Sequence, residues 1–525
     1  MSSDSPNAMN TVAARQLRRS KNIFCLTIDR LNCDILGAYG ATSVETPSID
    51  ALAAESILFD SFYASSLDRD ALYRAFLRGE APNEISLDDK LEDRESIFRV
   101  MKKRGYRTFL ISDVESVAHA PYVDSDDCDG RILLDSERVD APVESVEETA
   151  CFKNFEKLAR FLVELDDHEV LETPAPWFVW CFLSGWNEEW DWPLALRESF
   201  RHIEEEEELS DPESYGAARP PYFRRPTSAK RVVRRERVYD APDAESLVVS
   251  ASSAPLVQEE HRRLAALSEP ERRQAVVQAY CGGVATFDDV FGAFFNLVKE
   301  RDVPKHALFA LTGARGFALG DPSALGIPGA GDATSPFYSE ELRVPLIVRL
   351  PDGTGATLRL PTLCEPRDLF ATLRDWHDFA ETLAEPGFWR LESQQVSPFA
   401  GKWSDDPPEE IDESAPTSAF DTSKEGQNLL ALLCDESSAV RDSVLAVAKD
   451  SRSPERALVV DDWFLKRTPL DPDEIEDEFA PVERFELFVF PDDRYCVNDV
   501  ADRCQDDVDA LRPYLRMASE SDSHT

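Results

Sequence analysis

The order of elements read from this 525-residue sequence predicts an α/β fold with a large mixed, mostly parallel sheet between layers of helices. Three observations carry that prediction. Short runs rich in β-branched and aromatic residues alternate with amphipathic helical stretches. The first run, Asn22 to Ile28, is apolar throughout and ends on Asp29, as a strand buried on both faces would. The most apolar windows are short, such as Phe178 to Leu183, and read as buried strands, with no internal repeat.

The elements follow in order. Thr46 to Glu55 predicts a helix, since Thr46 can cap it and Pro47 suits its first turn. Leu87 to Lys103 predicts another, closed by Gly105, and Tyr106 to Ile111 the next strand. Trp177 to Leu183, Ala307 to Thr312 and Val344 to Leu350 predict further strands, with a long helix at Gln274 to Lys299. The main domain is expected over 21–400, after a disordered tail at 1–20. Within it, 201–270 reads as a polar insertion, with five Glu at 204–208 and a basic stretch from Arg224 to Arg237. Residues 401–425, rich in Asp, Glu, Pro and Ser, read as a linker or long loop. The remainder, 426–525, predicts a small α+β subdomain. Its expected elements are a helix at Gln427 to Cys434, strands at Ala457 to Lys466 and Phe485 to Phe490, and a terminal helix at Asp506 to Arg516.

Charge narrows the partners. Lys and Arg number 57 against 101 Asp and Glu, a formal net charge of −44. Nucleic acid and anionic lipid would be repelled, so neither is expected as a partner. No run approaches the length of a membrane span, and no apolar segment precedes Lys21. Ten cysteines without a C-x-x-C pair suit a reduced, cytoplasmic protein with no disulfide framework. Seven histidines without zinc spacing leave a zinc hydrolase unsupported.

Several strings in correct order resemble one family. Asp29-Arg30-Leu31-Asn32-Cys33-Asp34-Ile35-Leu36-Gly37-Ala38-Tyr39-Gly40, followed by Thr46-Pro47-Ser48-Ile49-Asp50-Ala51-Leu52-Ala53, resembles the opening of the sulfatases. These belong to the alkaline phosphatase superfamily. Gly105-Tyr106-Arg107-Thr108, Phe287-Asp288-Asp289, Arg343-Val344-Pro345-Leu346-Ile347-Val348, Asp368-Leu369 with Thr372, and Pro491 through Asp499 resemble its later landmarks. The resemblance implies the same large sheet with a smaller C-terminal α+β subdomain. It also implies a divalent cation, usually calcium, a nucleophile in [CS]-x-P-x-R, and Lys and His residues that neutralise a sulfate ester.

Position by position, that machinery is mostly replaced. Asp29 keeps the first metal position, but the second is Arg30. The nucleophile segment, Ser65 to Arg74, places Asp70 at the nucleophile if Arg74 is the motif arginine, or Arg69 if strict spacing to Gly79 holds. Ser65 or Ser66 would need a shift of several residues. The Lys and His positions read Asp113 and Glu115, a further His position reads Asn187, and the last metal pair falls in Gly313-Ala314-Arg315-Gly316. Two guanidiniums beside a cation site oppose its occupation. At 4 Å and an effective dielectric of 20 a unit pair is worth about 4 kcal/mol, roughly twice that against a divalent ion. The expectation is that Arg30 or Arg315 pairs with Asp29 in place of the metal, and that no cofactor is bound.

Three functions are open on these residues. The first is a sulfatase-like pseudoenzyme with a binding or regulatory role, whose Arg30, Arg74 and Arg315 are candidates to hold a sulfated or other anionic small molecule. The second is an active sulfuric ester hydrolase, or a related ester hydrolase, rebuilt on Asp68, Asp70, Asp113 and Glu115. The third is a scaffold that docks a protein partner through 201–270.

Overall fold

The computed structural model describes residues 21–81, 94–134, 142–168, 175–187, 190–200, 269–319, 337–383, 425–433, 441–448, 455–469, 483–493 and 496–515. The expected tail at 1–20 lies outside them. So do all but the last two residues of the insertion at 201–270 and all but the last of the linker at 401–425.

Eight strands make the large sheet: β1 (Asn22–Ile28), β2 (Ile57–Phe62), β3 (Arg107–Ser112), β4 (Gly130–Leu133), β5 (Trp177–Leu183), β6 (Ala307–Gly313), β7 (Leu346–Arg349) and β8 (Arg359–Cys364). Their order across the sheet is β4-β3-β5-β1-β6-β7-β2-β8. All neighbours are parallel except β7, which runs antiparallel to both β6 and β2. The sheet is mixed and mostly parallel, as the alternation of elements predicts.

Strand β1 lies at the centre and is buried at every position. Successive side chains go to opposite faces. Ile23 and Cys25 join one core, with Phe76, Trp180 and Trp376. Phe24, Leu26 and Ile28 join the other, with Trp186, Phe287 and Phe294. The helices Arg69–Arg78 and Pro366–Leu383 supply the first layer, and the long helix Glu269–Glu300 the second.

The motif residues act here as fasteners. Asp288 on the long helix accepts hydrogen bonds from the backbone N–H of Ser48 (3.0 Å) and Ile49 (2.8 Å). It thereby caps the helix Pro47–Ala54 from a distance, satisfying donors that have no partner inside a helix. Arg343, just before β7, pairs with Asp34 at 2.6 Å and donates twice to the carbonyl of Asp60. That holds the opening loop against β2.

A second sheet, antiparallel and four-stranded, has the order β12-β11-β10-β9, from β9 (Ser443–Val447), β10 (Arg456–Val460), β11 (Trp463–Pro469) and β12 (Glu483–Val489). Leu458, Leu465 and Leu487 pack with Val508 and Leu511 of the helix Gln505–Leu511. On the opposite face Val459, Phe464 and Phe488 join the first core of the large sheet.

Some boundaries differ from the sequence reading. The expected strand from Ala457 to Lys466 is two strands, because Asp461 and Asp462 make a turn between them. The expected helix Gln427–Cys434 is a single 3₁₀ segment, Leu429–Leu433. Of the helix expected over Leu87–Lys103, the part starting at Ile97 is helical; Ser96 caps it by accepting from Arg99 N–H at 3.2 Å.

Candidate functional site

The site lies beyond the C-terminal ends of β1, β5 and β6, where parallel sheets present ligand-binding residues. Asp29 follows β1 directly and is buried. Its N–H donates to Leu183 O (2.9 Å), and its own carbonyl accepts from Trp186 N–H (3.2 Å). The turn carrying Trp186 crosses so closely that Gly185 is required: φ is +51°, and a Cβ there would collide with the Asp29 carbonyl. Arg30 then takes a left-handed backbone, φ +63°, uncommon for a residue with a side chain. Tyr280 brackets this bend, donating to Arg30 O (2.8 Å) and accepting from Asn32 N–H (3.0 Å).

Arg315 approaches Asp29 from the loop after β6. Its Nε donates to Oδ1 at 2.9 Å and its Nη2 to Oδ2 at 3.2 Å, a two-pronged pair that uses both carboxylate oxygens. Its Nη1 donates to Leu67 O, tying the loop to the nucleophile segment. Burial opposes the charge on Arg315, but Asp29 holds its pKa above the ordinary value. Arg30 is also buried. Burial first, then repulsion from Arg315, brings it down to about 10. Its guanidinium lies 5.8 Å from the centre of the Phe317 ring.

A fourth charge, Glu341, completes the group. It is buried, and burial pushes its carboxyl up to about 7 against the attraction of Arg30 and Arg315. Sequence reading did not single it out. The signal was available in Ser339-Glu340-Glu341-Leu342, an acidic pair directly ahead of an apolar strand, where every residue is buried. Asp29, Arg30, Arg315 and Glu341 thus form a quartet of two formal cations and two formal anions.

These residues do not fit a divalent cation. Calcium takes six to eight oxygens. Here both oxygens of Asp29 are taken by Arg315, and among the described residues no group of three or more His, Cys, Asp or Glu could hold a metal ion.

The nucleophile segment is committed to structure. Asp68 caps the helix Arg69–Arg78, accepting from Ala71 N–H at 2.8 Å. Asp70 is exposed in its first turn. Arg74, expected to face an anion, instead meets the buried Glu80 at 2.7 Å, because Gly79 turns the chain left-handed and brings Glu80 back under the helix. Ser66 Oγ donates to Val447 O at 2.8 Å. Glu115 is exposed at the start of the short helix Glu115–Ala118. Asp113 is held apart from it by Ser184 N–H (2.8 Å), Ser184 Oγ (2.7 Å) and Asn154 Nδ2 (3.3 Å). The structure therefore joins Arg315 to Asp29, with Arg30 beside them, and leaves Arg74 and the other carboxylates elsewhere.

Fold and site together define an α/β protein with a large, mostly parallel sheet whose carboxylate at the end of β1, Asp29, is paired with a guanidinium. The sulfatase family model matches residues 21–118 and 207–379, just over half of the chain, and the chain belongs to that family. N-acetylgalactosamine-6-sulfatase from Sus scrofa is 43% identical over 61 residues, 12% of this chain and 12% of that protein. The same enzyme from Canis lupus familiaris is 41% identical over 61 residues, with the same coverage. The chain thus matches only about an eighth of the length of these curated relatives. Solved structures align far more broadly. The phosphonate monoester hydrolase of Agrobacterium radiobacter superposes with TM-score 0.56 and 16% identity, over 94% of this chain and 93% of that one. A protein solved in complex with its substrate D-glucosamine-2-N,6-O-disulfate gives 0.59 and 14%, over 94% and 96%. At such identities the likeness is one of fold.

Proposed function

We propose that this chain keeps the sulfatase scaffold without sulfate-ester hydrolysis and works by binding or regulation. The observation that carries the reading is the two-pronged Arg315–Asp29 pair, which consumes the surviving metal-position carboxylate. A protein cation there removes both the room and the field that a calcium ion needs. Hydrolysis also lacks its nucleophile, since neither Asp70 nor Arg69 can become a formylglycine. A reducing cytoplasm suits the nine cysteines among the described residues, each a free thiol. Among the described residues, no helix is long and apolar enough to cross a membrane.

A sulfated or other anionic small molecule is the first ligand class to test, because a structural neighbour was solved with a disulfated sugar. The rebuilt-hydrolase reading draws no support from the geometry of Asp68, Asp70, Asp113 and Glu115, two of which are tied into structural hydrogen bonds and two exposed.

The test is hydrolysis of an aryl sulfate with and without added calcium, beside calorimetric titration of calcium. The expected outcome is no turnover above buffer and no heat of binding. Calcium-dependent turnover that disappears in Asp29→Ala would refute the proposal.

A further inference from the structure

We infer that Arg69, Tyr73 and Tyr122 form a carboxylate-binding site beside the Arg315–Asp29 pair. Arg69 opens the helix Arg69–Arg78 and Tyr73 follows it by four residues, so both stand on one face. Arg315 Nη1 donates to Leu67 O, which sets the start of this helix against the quartet. Arg69 is half-buried, and among the described residues it makes no ion pair. Its neighbours differ. Arg74 and Arg78 both meet Glu80, and Arg315 is spent on Asp29. Of these four arginines, Arg69 keeps its charge uncommitted among the described residues.

The tyrosines point the same way. Tyr73 is 2% exposed, yet its hydroxyl makes no hydrogen bond among the described residues and opens to solvent. It lies in the field of Asp29, Arg69 and Arg315, and of the Tyr122 hydroxyl. A buried side chain whose polar tip has no protein partner is placed to donate to a ligand. The Tyr122 hydroxyl, also without a hydrogen bond among the described residues, stands near Asp70, Arg74 and Arg69. Burial pushes both phenols up from their ordinary value, so both remain protonated donors at neutral pH. Of the nearby carboxylates, Asp68 is committed to Ala71 N–H and Asp70 is exposed.

One guanidinium and two neutral hydroxyls suit a singly charged oxyanion. The planar guanidinium fork matches a carboxylate with two parallel hydrogen bonds. With one free cation, much of the affinity must come from hydrogen bonds, and a carboxylate is a more basic acceptor than a sulfate ester. Asp70 further disfavours a dianion such as a phosphate monoester. The inference rests on the binding role proposed above and deepens it, with a carboxylate in place of the sulfate ester.

The experiment titrates the full chain at low salt with 4-fluorobenzoate, 4-fluorophenyl sulfate and 4-fluorobenzamide, followed by fluorine NMR. The expected result is saturable binding of the benzoate, weaker binding of the sulfate and none of the amide. Arg69→Gln should weaken the benzoate about tenfold and Tyr73→Phe about fivefold. Arg107→Gln, beside the Phe109 ring and outside the site, should leave it unchanged. Absence of saturable benzoate binding, equal binding of the amide, sulfate binding as tight as benzoate, or full affinity in a folded Arg69→Gln variant overturns the inference. If the variants do not fold, the three-ligand comparison on the unaltered chain still decides. The same spectra separate the two readings. Release of 4-fluorophenol would refute the binding role, whereas intact sulfate with no benzoate bound would refute this inference alone.

Discussion

Two buried arginine–aspartate pairs in this molecule look alike and do different work. Asp368 opens the helix Pro366–Leu383 and meets Arg441, which precedes β9 of the small sheet. It also accepts from the N–H of Glu365 (2.9 Å) and Gln427 (2.8 Å), while Arg441 reaches Glu365 at 2.8 Å. That pair joins two sheets at a landmark the family resemblance includes. Asp29 and Arg315 sit instead where the resemblance implies a metal. The first pair is surrounded by backbone donors and behaves as a rivet. The second is balanced by Arg30 and Glu341 at the C-terminal end of β1. The same chemistry thus fastens two elements in one place and, on the function proposed above, stands at a cofactor's position in the other.

The largest effect should come from the rivet. Arg441→Met leaves the buried Asp368 without its cation, while Glu365 keeps Arg367 at 2.7 Å, and denaturant unfolding should show a loss of about 3–5 kcal/mol. A loss below about 1 kcal/mol would mean that the two sheets do not depend on it. Arg315→Met should cost less, about 2–3 kcal/mol, because Arg30 remains beside Asp29. Adding Asp29→Asn should recover part of that loss, and simple additivity would separate the pair energetically.

Glu341 should give the quartet a pH signature. Its folded pKa of about 7 lies above the ordinary 4.5. The folded state therefore holds the proton more tightly, and this stabilising contribution is fully present below pH 4.5 and lost as pH rises through about 7. Melting temperatures measured across that window should fall more steeply for the parent than for Glu341→Gln. Parallel curves would remove Glu341 from the group.

Asp288→Ala removes a cap from the helix Pro47–Ala54 and should cost about 1 kcal/mol by urea denaturation. The smallest effect is expected at an exposed pair: Lys103→Met, which loses Glu95, should change stability by less than about 0.5 kcal/mol.

Much of this was legible along the chain. The apolar run Asn22–Ile28 and its terminal Asp29 give β1 to the residue, because a strand buried on both faces has little compositional freedom. The pairing of Asp29 with an arginine was legible too, since a lone buried carboxylate needs a partner and two arginines stood at neighbouring motif positions. Other features were not. The short strand β4 has no apolar signature, being only partly buried at the sheet edge. Arg74 reads as an anion ligand until Gly79 folds Glu80 under it. The choice between Arg30 and Arg315 depends on the left-handed turn at Arg30 and on the angle of the loop after β6.

By itself, then, the sequence determined the order of the central strands and the longer helices and the family landmarks, and it placed Arg30 and Asp70 where the resemblance implies a metal ligand and a nucleophile. Those follow from residue type and local periodicity. Only the tertiary structure decided which guanidinium meets Asp29, that Glu341 joins them, and that the hydroxyls of Tyr73 and Tyr122 stand near Arg69 beside that pair. Charge pairing and the convergence of donors depend on distances between segments far apart in the chain, and no local pattern encodes those distances.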